Sequence, residues 1–280
     1  MRDNTEVQIG IHLPQIGHLA DPVAVRAAAR AAESLGYSSV WVLDDVLAPV
    51  TCVERNASER TVLDPIATLA YVAACTDRIR LGASVNAADW HAPVLLARSL
   101  ASVDVLSAGR LTIGLGAAEP SFLDAAIATL DAIWAPPPSA LAPAQRPRPP
   151  ILLGGHTPAD LDRVGRLADG WNPSDPLIDE LDSRWRSVRD CAVHAGRDPD
   201  RLRLIVRATV EIGGEASVRD RLAFRGSVAQ IGDDLEAVQA AGADELVLRC
   251  AGDPPLDEAL GAYAALAEQL AVDVGGRGLR

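Results

Sequence analysis

A closed (β/α)8 barrel, one α/β domain over residues 1–280, is the fold this sequence predicts, and three observations predict it. Apolar runs of strand length alternate with helical periodicity from end to end, the mark of parallel strands joined by crossover helices. Eight strand-helix pairs follow one another without a long antiparallel interruption, which favours a closed barrel over an open doubly wound sheet. The chain has 280 residues, 49% hydrophobic and 23% charged, enough to fill one large core.

The first unit is the clearest. Val7 to Pro14 (VQIGIHLP) reads as a buried strand, and Asp21 to Gly36 as a helix with Asp21 at its N-cap, Pro22 in its first turn and Gly36 past its end. Ser38 to Asp45 is the second strand, followed by a polar excursion and a helix from about Asp64, with Pro65 at the first helical position. Six more strands follow: Arg78 to Val85, Arg110 to Ala117, Pro150 to Gly155, the short Asp169 to Asn172, Leu202 to Ile212 and Ala243 to Cys250. Helices of about 10 to 18 residues fit between them and after the last. The proline-dense stretch Pro136 to Pro150 reads as a loop within the domain, because units on both sides are needed to close the barrel.

A net charge of −12 repels phosphate backbones, so nucleic acid is not expected as a partner. Cys52, Cys75, Cys191 and Cys250 form no C-x-x-C pair, and His18, His91, His156 and Glu119 show no metal-ligand spacing, so no metal is expected. No secretory leader and no run of about 18 apolar residues is visible, which predicts a cytoplasmic protein without a membrane span.

In such barrels, binding and catalytic groups sit at the carboxyl ends of the strands. That position selects His12 and Gln15 after strand one, Asp44 and Asp45 after strand two, Ser84 and Asn86 at strand three, and Gly116 and Glu119 after strand four. Gly154, Gly155, His156 and Thr157 follow strand five, Trp171 and Asn172 strand six, and Arg207, Thr209, Glu211 and Arg249 belong to the last two. Among these, GGHTPAD (Gly154 to Asp160) aims a helix N-terminus at the pocket, with two glycines allowing close backbone approach; it reads equally as a phosphate site and as an ordinary turn. Asp44 and Asp45 are adjacent, so they point to opposite faces and cannot form a close acid/base pair. Alternation places His12 opposite Ile9, Ile11 and Leu13, toward the lumen, as a hydrogen-bonded core histidine or as a catalytic one. Trp41, Trp90 and Trp171 either line a planar cofactor or pack in the core.

The segments IHLPQIG (Ile11 to Gly17), AAESLGYSSVWVLDD (Ala31 to Asp45), LDPIATLAYVAACTDRIRLGASV (Leu63 to Val85), HAPVLLARSLASVDVLSAGRLTIGLGA (His91 to Ala117), PPILLGGHTPADLDRVGRLADGW (Pro149 to Trp171), AGRDPDRL (Ala195 to Leu202) and GSVAQIGDDLEAVQAAGADELVL (Gly226 to Leu248) resemble, in order and spacing, the bacterial luciferase-like monooxygenase family, especially its actinobacterial branch that uses coenzyme F420. The resemblance implies a luciferase-like barrel, a homodimer and a small-molecule substrate. It implies a cofactor ring against Ser84 and Val85, where relatives often carry a non-proline cis peptide, and a cofactor phosphate at Gly154, Gly155 and neighbours including His156 and Trp171.

Two departures stand out. Where many relatives carry Asp-His after strand two, with the histidine near the reacting atom, this chain carries Asp44-Asp45, and the segment between strands four and five is short. Asp45, His12 and Glu119 are therefore the candidate catalytic groups. The reading is an oxidoreductase that moves hydride between reduced coenzyme F420 and a small organic substrate. A monooxygenase using reduced FMN and dioxygen is the near alternative. A non-catalytic cofactor-binding or subunit protein is the alternative of another class.

Overall fold

A computed structural model describes residues 7–44, 61–85, 91–116, 120–135, 142–214, 222–251, 255–258, 260, 261 and 264. Its strands are β1 (Gln8–His12), β2 (Ser39–Leu43), β3 (Arg80–Val85), β4 (Leu111–Leu115), β5 (Ile151–Leu153), β6 (Gly170–Trp171), β7 (Arg203–Ile212), β8 (Arg225–Gly226) and β9 (Glu245–Cys250). Each of β1 to β7 pairs in parallel with the next; β7 also pairs with β9, and β9 returns to β1, so these eight staves close into a barrel. The two-residue β8 was not foreseen: it lies parallel to the carboxyl end of β7, outside the ring of staves. Asp45 and Glu119, the polar excursion after strand two and most of the chain beyond the last strand lie outside the described residues.

The helices are α1 (Pro22–Leu35), α2 (Pro65–Cys75), α3 (Pro93–Leu106), α4 (Pro120–Trp134), α5 (Pro158–Leu167), α6 (Ile178–His194) and α7 (Val228–Ala240). Proline opens five of them because its missing N–H costs nothing in a first turn. The α1 boundaries follow the local signals. Asp21 accepts from the amides of Val23 and Ala24, and Gly36 takes the left-handed cap at φ 86°. Among the described residues no helix is long and apolar enough to cross a membrane.

Register sorts the strand residues into two faces. The outward set, including Ile11, Val40, Val42, Leu81, Ala83, Ile113 and Leu153, packs against the helices as one continuous core. The inward set stacks along the lumen. Its middle is apolar: Trp41, Leu152, Ile205 and Val247 form a separate cluster. The Trp41 indole occupies the space over Gly82, its register partner, where any Cβ would overlap the ring. This tryptophan is therefore core.

Below it, at the amino ends, the lumen is polar but self-satisfied. Buried Glu245 accepts from Ser38 Oγ at 2.6 Å, from Ser39 Oγ and from Arg80 at 2.9 Å. Beside β4, Arg110 donates to carbonyls of Ala73, Thr76, Ile79 and Ser107 and to Thr76 Oγ1.

Candidate active site at the carboxyl ends of the strands

Above the Trp41 layer, the lumen opens into a cavity of about 250 Å3, including its mouth, lined by His12, Leu43, Ser174, Asp175, Arg207, Ala208, Thr209 and Arg249. Parity brings His12, Arg207, Thr209 and Arg249 there, since register aligns His12 with inward Trp41 and Arg207 and Thr209 with Val247 and Arg249. Burial first, and then the positive charges of Arg207 and Arg249, push the His12 pKa well below its ordinary value; a hydrogen bond to the Trp41 backbone opposes them. His12 is thus neutral at pH 7. Burial, reinforced by Arg249 and opposed by Asp175, lowers Arg207 to about 10, and it remains a cation. Asp175 sits at φ 44°, a conformation aspartate tolerates; its carboxylate accepts the Thr209 amide at 2.7 Å and fixes that wall.

The second part of the rim is the loop between β5 and α5. Gly155 takes φ 91°, in the left-handed region that favours glycine. Among the described residues the amides of Gly154, Gly155 and His156 have no hydrogen-bond partner. Arg184 of α6 donates to the His156 carbonyl at 3.0 Å and brings a cation to the same loop. The helix N-terminus itself is occupied from within. Thr157 and Asp160 form a capping box, with the Asp160 carboxylate accepting from the Thr157 amide at 3.0 Å. The amides without a partner thus belong to the glycine loop before the helix rather than to the first turn of α5.

Trp171 is not a wall of the lumen. Its register partners Leu153 and Leu204 face outward; the ring is fully buried behind the loop, and Nε1 donates to the Gly155 carbonyl at 3.0 Å. Trp171 and the edge-on ring of His156 therefore hold the glycine loop in place.

Ser84 faces the lumen, and its Oγ is buried without a hydrogen-bond partner. Its neighbour Val85 points the other way and packs in the outer core, so only its backbone lies toward the site. Among the described residues the sole cis peptide is Arg146–Pro147; the Ser84–Val85 peptide is trans, contrary to the expectation drawn from the family.

After β2, Asp44 is buried and its Oδ2 lies 3.1 Å from His91 Nε2. This pair was not anticipated. His91 is 47 residues away in sequence and stands just before α3, on the rim where the positional argument selects candidates; applied to the loop after strand three, that argument reaches it. Gln15 fixes the end of β2, donating to the Leu43 carbonyl and accepting from its amide at 2.7 Å.

The model of the luciferase-like monooxygenase family matches residues 5–126 and 128–269. The chain belongs to that family. A phthiodiolone/phenolphthiodiolone dimycocerosates ketoreductase of Mycobacterium sp. strain JLS is 30% identical over 192 residues, 57% of this chain and 50% of that one, so this chain matches about half of that relative. Two solved structures share the fold. An F420-dependent secondary alcohol dehydrogenase, in complex with an F420-acetone adduct, superposes with a TM-score of 0.74 at 13% identity, over 95% of this chain and 99% of that one. A long-chain alkane monooxygenase does so with a TM-score of 0.77 at 12% identity, over 99% and 93%. Members of this fold thus include both deazaflavin-dependent dehydrogenases and monooxygenases.

Proposed function

We propose that this luciferase-like barrel is an oxidoreductase that moves hydride between reduced coenzyme F420 and the carbonyl carbon of a small ketone or aldehyde. The observation that carries it is the pairing, on one rim, of an unpartnered amide loop at Gly154 to His156 with a separate lumen cavity beside it. The residues fit a phosphate-bearing ring cofactor. The three amides and Arg184 are suited to its phosphate, and Ser84 Oγ is a buried polar atom in want of a partner at the ring. When bound, the deazaflavin supplies the hydride and is left oxidised.

The chain's own residues would hold the substrate and manage its proton. Reduction of a carbonyl places negative charge on oxygen, which needs one proton to give the alcohol. His91 is assigned that role, because buried Asp44 lies within hydrogen-bond distance and can orient its imidazole. Such a histidine takes the place of the one expected directly after strand two. His12, Asp45 and Glu119 remain candidates for contact with substrate. The ketoreductase and alcohol dehydrogenase relatives support this reading. The alkane monooxygenase supports a second, in which reduced FMN occupies the same amide loop and dioxygen is the oxidant.

The test is a titration of the purified chain with F420 and FMN, followed by absorbance of the deazaflavin with a panel of small ketones. Tighter binding of F420 and ketone-dependent oxidation of its reduced form are expected, with His91→Asn lowering turnover roughly 100-fold at unchanged F420 affinity. Preference for FMN with dioxygen consumption would replace this reading by the second. Binding of neither would favour the non-catalytic alternative.

A further inference from the structure

Arg207 is an exception among the partly buried arginines described. Arg110 and Arg197 end on backbone carbonyls, and Arg148 on Asp131 and Asp169. Arg207 has a buried Nε with no hydrogen-bond partner, and among the described residues its guanidinium makes no ion pair. A second guanidinium stands in the same cavity: Arg249, which reaches Thr209 Oγ1 at 3.2 Å. Among the described residues Asp175 is the one carboxylate lining the cavity, and it is engaged by the Thr209 amide and by Ser174. His12 is neutral there, so among the described residues two cations face one committed anion in a chain whose overall charge is −12.

Packing like charges together at the floor of a partly desolvated cavity is unfavourable unless something negative joins them. A planar guanidinium with its donors unspent is the group best matched to a two-oxygen anion. We infer that this cavity seats an anionic group of the substrate, a carboxylate or a phosphate, on Arg207 with Arg249 as the second contact. The inference rests on the hydride-transfer reading for the word substrate and on the cavity alone for the anion. It makes the substrate a keto acid or a phosphorylated ketone rather than a neutral one. The seat is distinct from the amide loop at Gly154 to His156, which lies after β5 rather than on β7 and β9.

The experiment compares three probes by calorimetry on the full chain: levulinate, its neutral methyl ester and dihydroxyacetone phosphate. F420 and FMN affinities are measured in parallel, for wild type, Arg207→Met and Arg249→Gln. Wild type should bind levulinate or the phosphate at least tenfold more tightly than the ester, and whichever wins identifies the anion. Arg207→Met should erase that preference and Arg249→Gln reduce it severalfold, both with unchanged cofactor affinity and with cooperative melting at no lower temperature. Equal binding of ester and acid by wild type, or binding of none of the probes at about 10 mM, would overturn the inference. So would an equal loss of F420 or FMN affinity in Arg207→Met, because the arginine would then hold the cofactor. If wild type discriminates the anions but binds neither cofactor, the hydride-transfer reading fails while the anion seat stands.

Discussion

The two ends of this barrel are built from the same residue types and treat them in opposite ways. At the amino end, Glu245 is buried with two serine hydroxyls and Arg80 on its oxygens, and Arg110 has acceptors for all of its nitrogens. At the carboxyl end, Ser84 Oγ and Arg207 Nε are buried without partners. Buried polar groups are ordinarily satisfied, and leaving one unsatisfied costs about 1–3 kcal/mol. The contrast separates an end whose buried polar groups satisfy one another from an end that leaves two of them unsatisfied, the end at which barrels of this kind place their sites.

The largest effect that would break this comparison is at the amino end. Glu245→Ala removes the carboxylate that Arg80, Ser38 and Ser39 share, leaving Arg80 with Gln8 and the Ser38 carbonyl and Ser38 with the Ile9 carbonyl, and should lower unfolding free energy by roughly 3–5 kcal/mol in urea titrations. Arg207→Met should do the reverse. Removing an unpaired buried cation while keeping much of its volume should raise stability by roughly 1–3 kcal/mol, even as the cavity loses one of its two cations. A Glu245 variant as stable as wild type, or an Arg207 variant that loses several kcal/mol, would erase the distinction between the two ends.

A third measurement sharpens it through pH. Because the folded state holds His12 well below its ordinary pKa, the unfolded chain binds the extra proton first as pH falls. The stability associated with neutral His12 is therefore complete above about pH 6.5 and is lost on acidification toward the folded pKa, with a slope of up to about 1.4 kcal/mol per pH unit. His12→Gln should flatten the urea midpoint between pH 7 and pH 5; an unchanged slope would mean that the histidine takes up its proton equally in the folded and unfolded chain.

The smallest effect concerns the glycine loop. Asp160→Ala opens the capping box and should cost about 0.5–2 kcal/mol, read as a lowered melting temperature. With its carboxylate gone, the amides of Gly154 to His156 should bind F420 or FMN more tightly, and weaker binding would mean that Asp160 orders the loop for the cofactor. Gly155→Asp is a poorer probe of the same loop, since a Cβ there collides with Asp160 and the φ of 91° strains any side chain.

Local chemistry makes much of this molecule legible in its sequence. Asp21, Pro22 and Gly36 bound α1 because caps act within a turn of where they stand. Alternation along VQIGIHLP turned His12 inward because successive strand residues must face opposite ways. The same rule, applied to Trp171 and Val85, turns both away from the lumen, although the resemblance places both at the cofactor and position at a strand end also selects Trp171. What lay beyond the sequence were pairings made by closure of the ring. Asp44 meets His91 across 47 residues, Arg80 meets Glu245 across 165, and Arg207 and Arg249 share one cavity because β7 and β9 lie side by side. Periodicity fixes which face a residue takes, a property of neighbours in the chain. Which charge it meets depends on staves far apart in sequence, and only the closed barrel decides that.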